Sequence, residues 1–326
     1  MCYKIEVQNK NAEKLNKKLD ELKFPIYMRK YFTVKIESKV GALNYLGVIT
    51  DLLNWFINEN LINKKNVSDI EPSDFNDIMA EDITLYLKTK EQNGMSPTTL
   101  ETRKHIISSF WKYIRRIKGV KISKDFFEDV TYKGISSNSN LVKKLPSEQQ
   151  LKDMEERIMW KKEECVRNRN IAIFYVLKGT GVREGGLANL ELYDLYLEAD
   201  MPYIRVLPKG KYREEEKITV YLTNSAKKAL REWLEYRNTL NNIVDKEAVF
   251  VNKNGTRTTE RNIKQIFENY GNGITPHMMR HYYASVMNQN GNLAFVQQQL
   301  GHSSVNTTVN NYANGAVGMK AVLENM

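Results

Sequence analysis

Six side chains in the C-terminal half of the chain could together carry out chemistry on a phosphodiester. They are two arginines, a lysine, two histidines and a tyrosine: Arg183, Lys209, His277, Arg280, His302 and Tyr312. Two guanidiniums can hold the non-bridging oxygens of a phosphoryl group as negative charge develops there. A lysine can protonate the leaving alkoxide, and a tyrosine can hold the phosphoryl group covalently while an imidazole assists deprotonation of its phenol. The set therefore predicts attack on a phosphodiester without a metal ion.

Each of these residues considered alone also has an ordinary structural explanation. Lys209 in a short loop could be a solvated lysine, and Arg183 follows a glycine turn of a common kind. His277 and Arg280 share one side of a helix near its N-terminus, where they could bind an anion or form a buried polar pair. The prediction depends on their joint occurrence and order.

A zinc site is the alternative use of the histidines. His277 and His281 are four residues apart, and His302 could be a third ligand. Helices of metallopeptidases with this spacing carry a glutamate directly after the first histidine, where this chain has Met278. Because no cysteine lies nearby either, we expect no metal here.

The composition favours a polyanionic partner inside the cell. The chain has 49 Lys+Arg against 39 Asp+Glu, and a net charge of +10 raises the local concentration of a nucleic acid. Its two cysteines, Cys2 and Cys165, cannot form a disulfide framework. With no run of eighteen apolar residues and no signal peptide, we expect a cytoplasmic protein without membrane association.

The length of 326 residues and the sequence pattern predict two domains. Residues 1–130 show helical periodicity throughout, as in Ala42–Phe56 and Phe75–Leu87, and residues 1–25 could be a basic arm. Residues 131–146 lose this periodicity and are expected to be a linker. Residues 147–326 form the predicted catalytic domain, with a C-terminal tail over 313–326. The expected fold is a two-domain clamp, mainly α-helical with a small β-hairpin or sheet.

Residue types that cap helices mark three expected helix starts. Ser96 precedes Pro97, Thr275 precedes Pro276, and Ser147 stands three residues before Gln150 in a capping-box pattern. Two runs rich in β-branched and aromatic residues, Tyr203–Val206 and Lys217–Tyr221, predict a hairpin whose connection holds Lys209. The helix that begins at Pro276 carries His277 and Arg280 in its first turns.

One helix of the N-terminal domain predicts a surface for DNA phosphates. From position 103 to 121 the chain has no acidic residue, and Ile106, Phe110 and Ile114 form its apolar face. The basic residues of this stretch are Arg103, Lys104, Lys112, Arg115, Arg116, Lys118 and Lys121. A merely solvated surface is the alternative.

At this point the sequence resembles the tyrosine recombinases of the phage integrase family over most of its length. Thr180-Gly181-Val182-Arg183 is similar to the turn that carries the family's first catalytic arginine. Pro208-Lys209-Gly210-Lys211 is similar to the hairpin that carries its catalytic lysine, with Lys209 as the expected residue and Lys211 as the alternative. His277-Met278-Met279-Arg280 matches the His-x-x-Arg box, and Leu300-Gly301-His302 the Leu-Gly-His box. Ser303–Thr308 and Ser96–Thr99 also resemble family segments.

The resemblance implies a site-specific recombinase that cuts and rejoins DNA without metal or nucleotide cofactor. Tyr312 would form a 3′-phosphotyrosyl bond, Arg183 and Arg280 would clamp the phosphate, His302 would donate a hydrogen bond, and His277 would favour deprotonation of the phenol. A homotetramer on two synapsed recombination sites would pass through a Holliday junction, with an accessory directionality factor as a further partner. Integration or excision of a mobile element and resolution of replicon dimers stay open.

The sequence departs from the family's pattern in three places. The acidic residue expected three positions after Arg183 is Gly186, with Glu184 directly after the arginine instead. Tyr312 follows His302 by ten residues rather than nine, and its tail of fourteen residues could pack on a neighbouring protomer. The alternatives are a catalytically inactive DNA-binding protein of the same fold and a related topoisomerase or telomere resolvase.

Overall fold

The computed structural model describes residues 3–132, 145–289 and 293–300 of the chain. The chain divides into two compact units, residues 3–140 and 141–326, and each has its own apolar core. Helices dominate both units, and a three-stranded antiparallel sheet lies in the second. The prediction of a mainly helical protein with a small sheet is confirmed.

The first unit is helical, and its helices surround one long apolar helix. The helices are α1 (Tyr3–Glu21), α2 (Ile26–Lys30), α3 (Lys39–Asn58), α4 (Ala80–Gln92) and α5 (Pro97–Ile114). By length and composition α3 is the one described helix that could cross a membrane. Its apolar residues Leu46, Ile49, Leu53 and Phe56 are nevertheless buried among the other helices of this unit, which makes it a core helix.

The segment considered as a basic arm is folded as α1. Leu15 and Leu19 of this helix are buried in the apolar core of the first unit. The helical periodicity expected over residues 1–130 is therefore present in α1, although its lysines alternate with these apolar positions. Within the described residues, positions 3–21 therefore belong to the packed unit.

The prediction of continuous helical periodicity over Phe75–Leu87 was wrong at its beginning. Residues Pro72–Asp77 form a short 3₁₀ helix, and α4 begins only at Ala80. The side chain of Asp82 accepts a hydrogen bond from the Met79 amide at 2.8 Å, which fixes the helix start. Met79 is consequently 65% exposed rather than buried with its apolar neighbours. Helical structure also stops before 130, because α5 ends at Ile114.

A cluster of hydrogen bonds around the partly buried Asp51 links three helices of the first unit. Asp51 on α3 accepts hydrogen bonds from Lys90 at 2.8 Å, Tyr86 at 2.8 Å and Arg103 at 2.6 Å. Burial raises the pKa of this carboxyl, but the three donors outweigh burial and hold the pKa below its ordinary value. The cluster therefore links α3 to α4 and α5 as long as Asp51 is ionised.

The second unit carries seven helices in its described residues and three short strands. The helices are α6 (Glu148–Met159), α7 (Glu164–Thr180), α8 (Glu184–Ala188), α9 (Asn224–Asn238), α10 (Glu260–Tyr270), α11 (Pro276–Gln289) and α12 (Leu293–Leu300). The strands are β1 (Leu195–Tyr196), β2 (Tyr203–Val206) and β3 (Ile218–Tyr221). The expected hairpin is β2–β3, with Arg205 paired to Thr219. Strand β1 was not predicted, because two residues are too few to show an alternating pattern.

All three expected helix starts are present. Ser147 accepts from the Gln150 amide at 3.2 Å while the Gln150 side chain accepts from the Ser147 amide at 2.9 Å. Ser96 accepts from the Thr99 amide at 3.4 Å, and Thr275 accepts from the Met278 amide at 3.2 Å. The last of these caps sets the start of α11 and so the positions of His277 and Arg280.

Candidate functional site

Arg280 is buried in the second unit and is held in place by main-chain carbonyls. Its side chain is 5% exposed and donates from Nη1 to the Gly181 carbonyl at 2.9 Å and from Nη2 to the Leu300 carbonyl at 2.6 Å. Burial, together with the nearby positive charge of Arg183, lowers the pKa of this guanidinium to about 10. The arginine of α11 thus joins the end of α7 to the end of α12.

The turn at Gly181 explains why glycine stands in this position. Gly181 ends α7 in the left-handed region with φ of +63°, which a residue with a side chain adopts only with strain. A Cβ atom here would lie 2.7 Å from Tyr283 Cδ1 and 2.9 Å from Leu300 Cδ2. The turn is reinforced by Thr180, whose buried hydroxyl donates to the Val176 carbonyl at 2.5 Å and accepts from the Val182 amide.

Arg183 follows this turn directly as the residue preceding α8. Its carbonyl accepts from the Leu187 amide at 3.1 Å, and its side chain is partly exposed. Among the described residues no hydrogen bond or ion pair of its guanidinium is recorded, whereas Arg280 donates to carbonyls on two sides. Arg280 is therefore the fixed member of the pair, and Arg183 is the one that can turn towards a ligand.

Glu184 stands close to this arginine pair in spite of the glycine at position 186. Its negative charge raises the pKa of Arg280, against the larger effects of burial and of Arg183. The carboxylate also lies 3.5 Å from the ammonium of Lys264 on α10. The residue that departs from the family's spacing thus still contributes an acidic group to the surroundings of the arginines.

His277 lies exposed in the first turn of α11 and contacts His281 one turn later. Their Nε2 atoms are 2.9 Å apart and their ring planes are nearly perpendicular, so one imidazole donates a hydrogen bond to the other. Within the described residues no cluster of three or more metal-ligating side chains is present. The two rings are therefore arranged as a hydrogen-bonded pair on one helix face.

The β2–β3 connection presents Lys209 on a tight turn. The Lys211 amide donates to the Pro208 carbonyl at 3.2 Å, and Gly210 has φ of +80°, as the third residue of a type II turn requires. Lys211 forms an ion pair with Glu216 at 3.0 Å. Lys209 is exposed, and no ion pair of its ammonium is recorded among the described residues. This favours Lys209 over Lys211 as the group that is available to a substrate.

The base of the same hairpin is anchored by a buried lysine that the sequence did not single out. Lys217 is 2% exposed at its side chain and lies 2.6 Å from Asp194 and 2.8 Å from Glu214. Its ammonium also lies 4.7 Å from the centre of the Tyr193 ring. The run of three glutamates at 214–216 was the available sequence signal for a cationic partner. This contact fixes the hairpin at one end and leaves the turn at Lys209 exposed.

The remaining two members of the predicted set, His302 and Tyr312, lie outside the described residues, as does the tail over 313–326. The described tyrosines of α11 are buried. Tyr283 is fully buried and accepts from Gln299 at 3.3 Å, and Tyr282 donates to Glu148. Burial raises the pKa of both phenols well above the ordinary value, which makes them poor nucleophiles.

The candidate DNA-binding residues of α5 and the following turn fall into two groups. Arg103 binds Asp51, Lys104 donates to the carbonyls of Val130 and Tyr132, and Arg115 donates to the Lys124 carbonyl. These three side chains are committed to contacts within the first unit. The exposed members are Lys112, Arg116, Lys118 and Lys121. They are the part of the set that is accessible to a phosphate backbone.

Comparison with known proteins identifies relatives along most of this chain. Tyrosine recombinase XerC of Neisseria gonorrhoeae is 35% identical over 147 residues, which cover 43% of this chain and 45% of that protein. The similarity thus spans less than half of that relative's length. Tyrosine recombinase XerC of Treponema denticola is 28% identical over 263 residues, covering 71% of this chain and 78% of that protein.

A solved structure shares the fold. The XerH site-specific recombinase bound to its difH substrate in a pre-cleavage complex superimposes with a TM-score of 0.59 at 22% identity, over 83% of this chain and 76% of that one. The model of the phage integrase family matches residues 149–318, slightly more than half of the chain. That match contains the Gly181 turn, the β2–β3 hairpin and α11, so the chain belongs to the phage integrase family.

Proposed function

We propose that this protein is a site-specific tyrosine recombinase that cuts and rejoins double-stranded DNA through a 3′-phosphotyrosyl bond to Tyr312. The observation that carries the proposal is the shared anchor of the two arginines. Arg280 donates to the carbonyl of Gly181, and the turn at Gly181 presents Arg183 two residues later. Membership of the phage integrase family agrees with this chemistry.

The electrostatics of the arginine pair favour an anion between the two side chains. Two cations close enough for Arg183 to lower the pKa of Arg280 repel each other, and a phosphoryl group between them relieves this repulsion. Because Arg280 is already immobilised by two carbonyls, little reorganisation is needed when charge develops on the phosphate. Removing one such preorganised donor costs roughly a hundredfold to a thousandfold in rate.

The other residues take roles that their positions permit. Lys209, exposed on the hairpin turn, protonates the 5′ leaving oxygen, and His302 donates a further hydrogen bond to the phosphate. His277, exposed at the start of α11, favours deprotonation of the Tyr312 phenol. Every step transfers a proton or a phosphoryl group between these side chains and the DNA, and no metal or nucleotide takes part.

The exposed cations of α5 and of the turn that follows it bind the DNA backbone. Lys112, Arg116, Lys118 and Lys121 supply the accessible charge of the first unit. The XerH relative binds a difH recombination site, and the present chain takes a comparable duplex site as its substrate. A tetramer on two synapsed sites exchanges strands through a Holliday junction in the cytoplasm. The reaction serves integration or excision of a mobile element or resolution of replicon dimers, and an accessory factor sets its direction.

Trapping on nicked suicide substrates tests the proposal. The wild type and Tyr312→Phe are incubated in EDTA with duplexes that carry candidate sites from around the protein's own gene. A covalent adduct with the wild type alone is expected, because the nick lets the 5′-hydroxyl diffuse away and prevents religation. An adduct that persists in Tyr312→Phe would place the nucleophile elsewhere and contradict the assignment.

The same assay separates the proposal from its two alternatives. Tight, site-specific binding without any adduct would identify a catalytically inactive DNA-binding protein. Relaxation of supercoiled plasmids that lack a specific site would identify a topoisomerase, and formation of closed hairpin ends would identify a telomere resolvase. Exchange of strands between two copies of one site is the result expected for a recombinase.

A further inference from the structure

A polar cavity in the second unit is lined by none of the four predicted catalytic residues that the structure describes. It has a volume of about 470 Å³ and lies among the beginning of α7, the loop 252–254 and α10. Cavities of a few hundred Å³ are the size that holds small molecules. Its lining includes Lys161, Arg169, Asn170, Lys253, Asn262 and Asn269.

Arg169 is the unusual member of this lining because it is a buried cation with no carboxylate within ion-pair distance among the described residues. Its side chain belongs to a residue that is 7% exposed, and both Nε and Nη2 donate to the neutral Oδ1 of Asn170, at 3.1 Å and 2.8 Å. In the described part of the chain no ion pair involves this guanidinium, and the charge of Glu163 opposes only in part the lowering of its pKa by burial. A buried charge is costly unless an opposite charge compensates it. A position that keeps such a cation facing a cavity is therefore suited to an anionic ligand.

Two other buried arginines of the unit show the contrast. Arg257 lies 2.8 Å from the carboxylate of Asp245 and 3.5 Å from that of Glu191, so its charge is neutralised within the protein. Arg237 donates to the carbonyls of Ala248 and Lys246. Arg169 differs from both because its partner is a single amide oxygen of the adjacent residue and because it borders an open space.

Two further features make the cavity favourable for an anion. Lys161 and Lys253 place two more positive charges on its wall, against one exposed carboxylate, that of Glu163. The N-terminal end of α7, a helix of 17 residues, also borders the cavity through Glu163, which precedes the helix, and Val166 in its first turn. The unsatisfied amides and the dipole at this helix end favour negative charge.

We propose that this cavity binds a small-molecule oxyanion, a phosphate or carboxylate group held by Arg169 with Lys161 and Lys253. The amides of Asn262 and Asn269 on α10 bind the polar remainder of such a molecule. This site is separate from the arginine pair proposed to hold the scissile phosphate, because Arg183 and Arg280 do not line it. Its occupation neutralises the charge of Arg169 at the base of α7, the helix that ends in the Gly181 turn.

Titration calorimetry of the full chain with inorganic phosphate, adenosine monophosphate and citrate tests the site and distinguishes phosphate from carboxylate ligands. We expect one binding event with at least one probe that weakens about tenfold or more in Arg169→Gln, as loss of a charged hydrogen bond predicts. Lys161→Gln combined with Lys253→Gln changes accessible positions only, so this variant keeps the test valid if Arg169→Gln fails to fold. Lys162→Gln is the matched control, since Lys162 is exposed beside Lys161 but does not line the cavity.

The outcomes separate this site from the catalytic arginines. Phosphate bound between Arg183 and Arg280 would be insensitive to changes at Arg169 or Lys253, and binding of that kind alone would overturn the proposal. Absence of binding by all three probes would overturn it as well. If a DNA duplex displaced the probe, and the same substitutions weakened DNA binding equally, the cavity would serve the DNA backbone and not a small molecule.

Discussion

Replacing Gly181 by alanine tests whether the turn that joins the two arginines requires glycine. Gly181 combines a positive φ of +63° with close approach of Tyr283 and Leu300. The added methyl group would meet ring atoms of Tyr283 at 2.7 Å and 3.0 Å and a methyl of Leu300 at 2.9 Å. Since Tyr283 is fully buried and its hydroxyl accepts from Gln299 on α12, its ring cannot move away without disturbing α11 and α12.

The expected loss of stability follows from two separate contributions. Holding an alanine in the left-handed region costs about 1–2 kcal/mol. Overpacking a filled core by one methyl group costs typically another 1–3 kcal/mol. The sum is about 2–5 kcal/mol, and for a unit of this size it corresponds to a drop in Tm of roughly 5–15 °C.

Thermal unfolding followed by circular dichroism measures this loss, and suicide-substrate cleavage measures its consequence for the site. Because the carbonyl of Gly181 anchors Arg280 and the next turn presents Arg183, we expect the cleavage rate to fall by a larger factor than DNA affinity. Affinity depends mainly on phosphate contacts spread over the DNA-binding surface. A preorganised pair of donors matters chiefly in the transition state.

Gly186→Ala is the matched control in the same region. Gly186 lies in α8 without a positive φ, and a Cβ there would have its nearest neighbour, the Leu207 carbonyl oxygen, at 3.7 Å. It should leave Tm close to that of the wild type. If Gly181→Ala unfolded at the same temperature as Gly186→Ala and cleaved DNA at the wild-type rate, the argument that this turn organises the arginines would be refuted.

Three further predictions follow from single contacts. Lys209→Ala should lower the cleavage rate by about a hundredfold or more, as loss of a general acid does. Lys211→Ala should change the rate little, because that lysine is paired within the hairpin. Pre-steady-state cleavage assays compare the two variants. Arg116→Ala should reduce the slope of log affinity against log salt concentration by about one, measured by filter binding. The control Lys17→Ala on α1 should leave the slope unchanged. Equal slopes for the two variants would argue against the predicted DNA-binding surface. The depressed pKa of Asp51 contributes stability that is present at neutral pH and lost as pH falls below the ordinary aspartate value. Asp51→Asn should therefore unfold more easily at pH 7, and its stability should decline less steeply as pH falls. An unchanged decline of stability at acid pH would contradict this.

Local patterns predicted the parts of the fold that depend on neighbouring residues. Ser147 with Gln150, Ser96 with Pro97 and Thr275 with Pro276 mark helix starts because the capping side chain and the amide it binds are three residues apart. Strand β2 was predicted to the residue from its branched and aromatic side chains. The start of α4 was missed, because the apolar pattern continues upstream of the helix. The Asp82 side chain accepts from the Met79 amide and fixes the start of the helix at Ala80.

Sequence order alone brought together the candidate set Arg183, Lys209, His277, Arg280, His302 and Tyr312, and with it the expected chemistry. It could not say which cations are available, because a lysine or arginine looks the same in sequence whether it is paired or free. Lys211 is paired with Glu216, and Arg103 with Asp51, through contacts that depend on the folded hairpin and on helices far apart in the chain.

The sequence by itself therefore determined the residue types, their order and the helix and strand boundaries that local hydrogen bonds set. Only the tertiary structure decided that Arg280 is buried against the carbonyls of Gly181 and Leu300, residues 99 and 20 positions away. Only it decided that Arg169 lies buried beside a cavity with the side chain of Asn170 as its hydrogen-bond acceptor. The physical reason is that burial and electrostatic pairing are properties of the space around a side chain, and packing between distant segments creates that space.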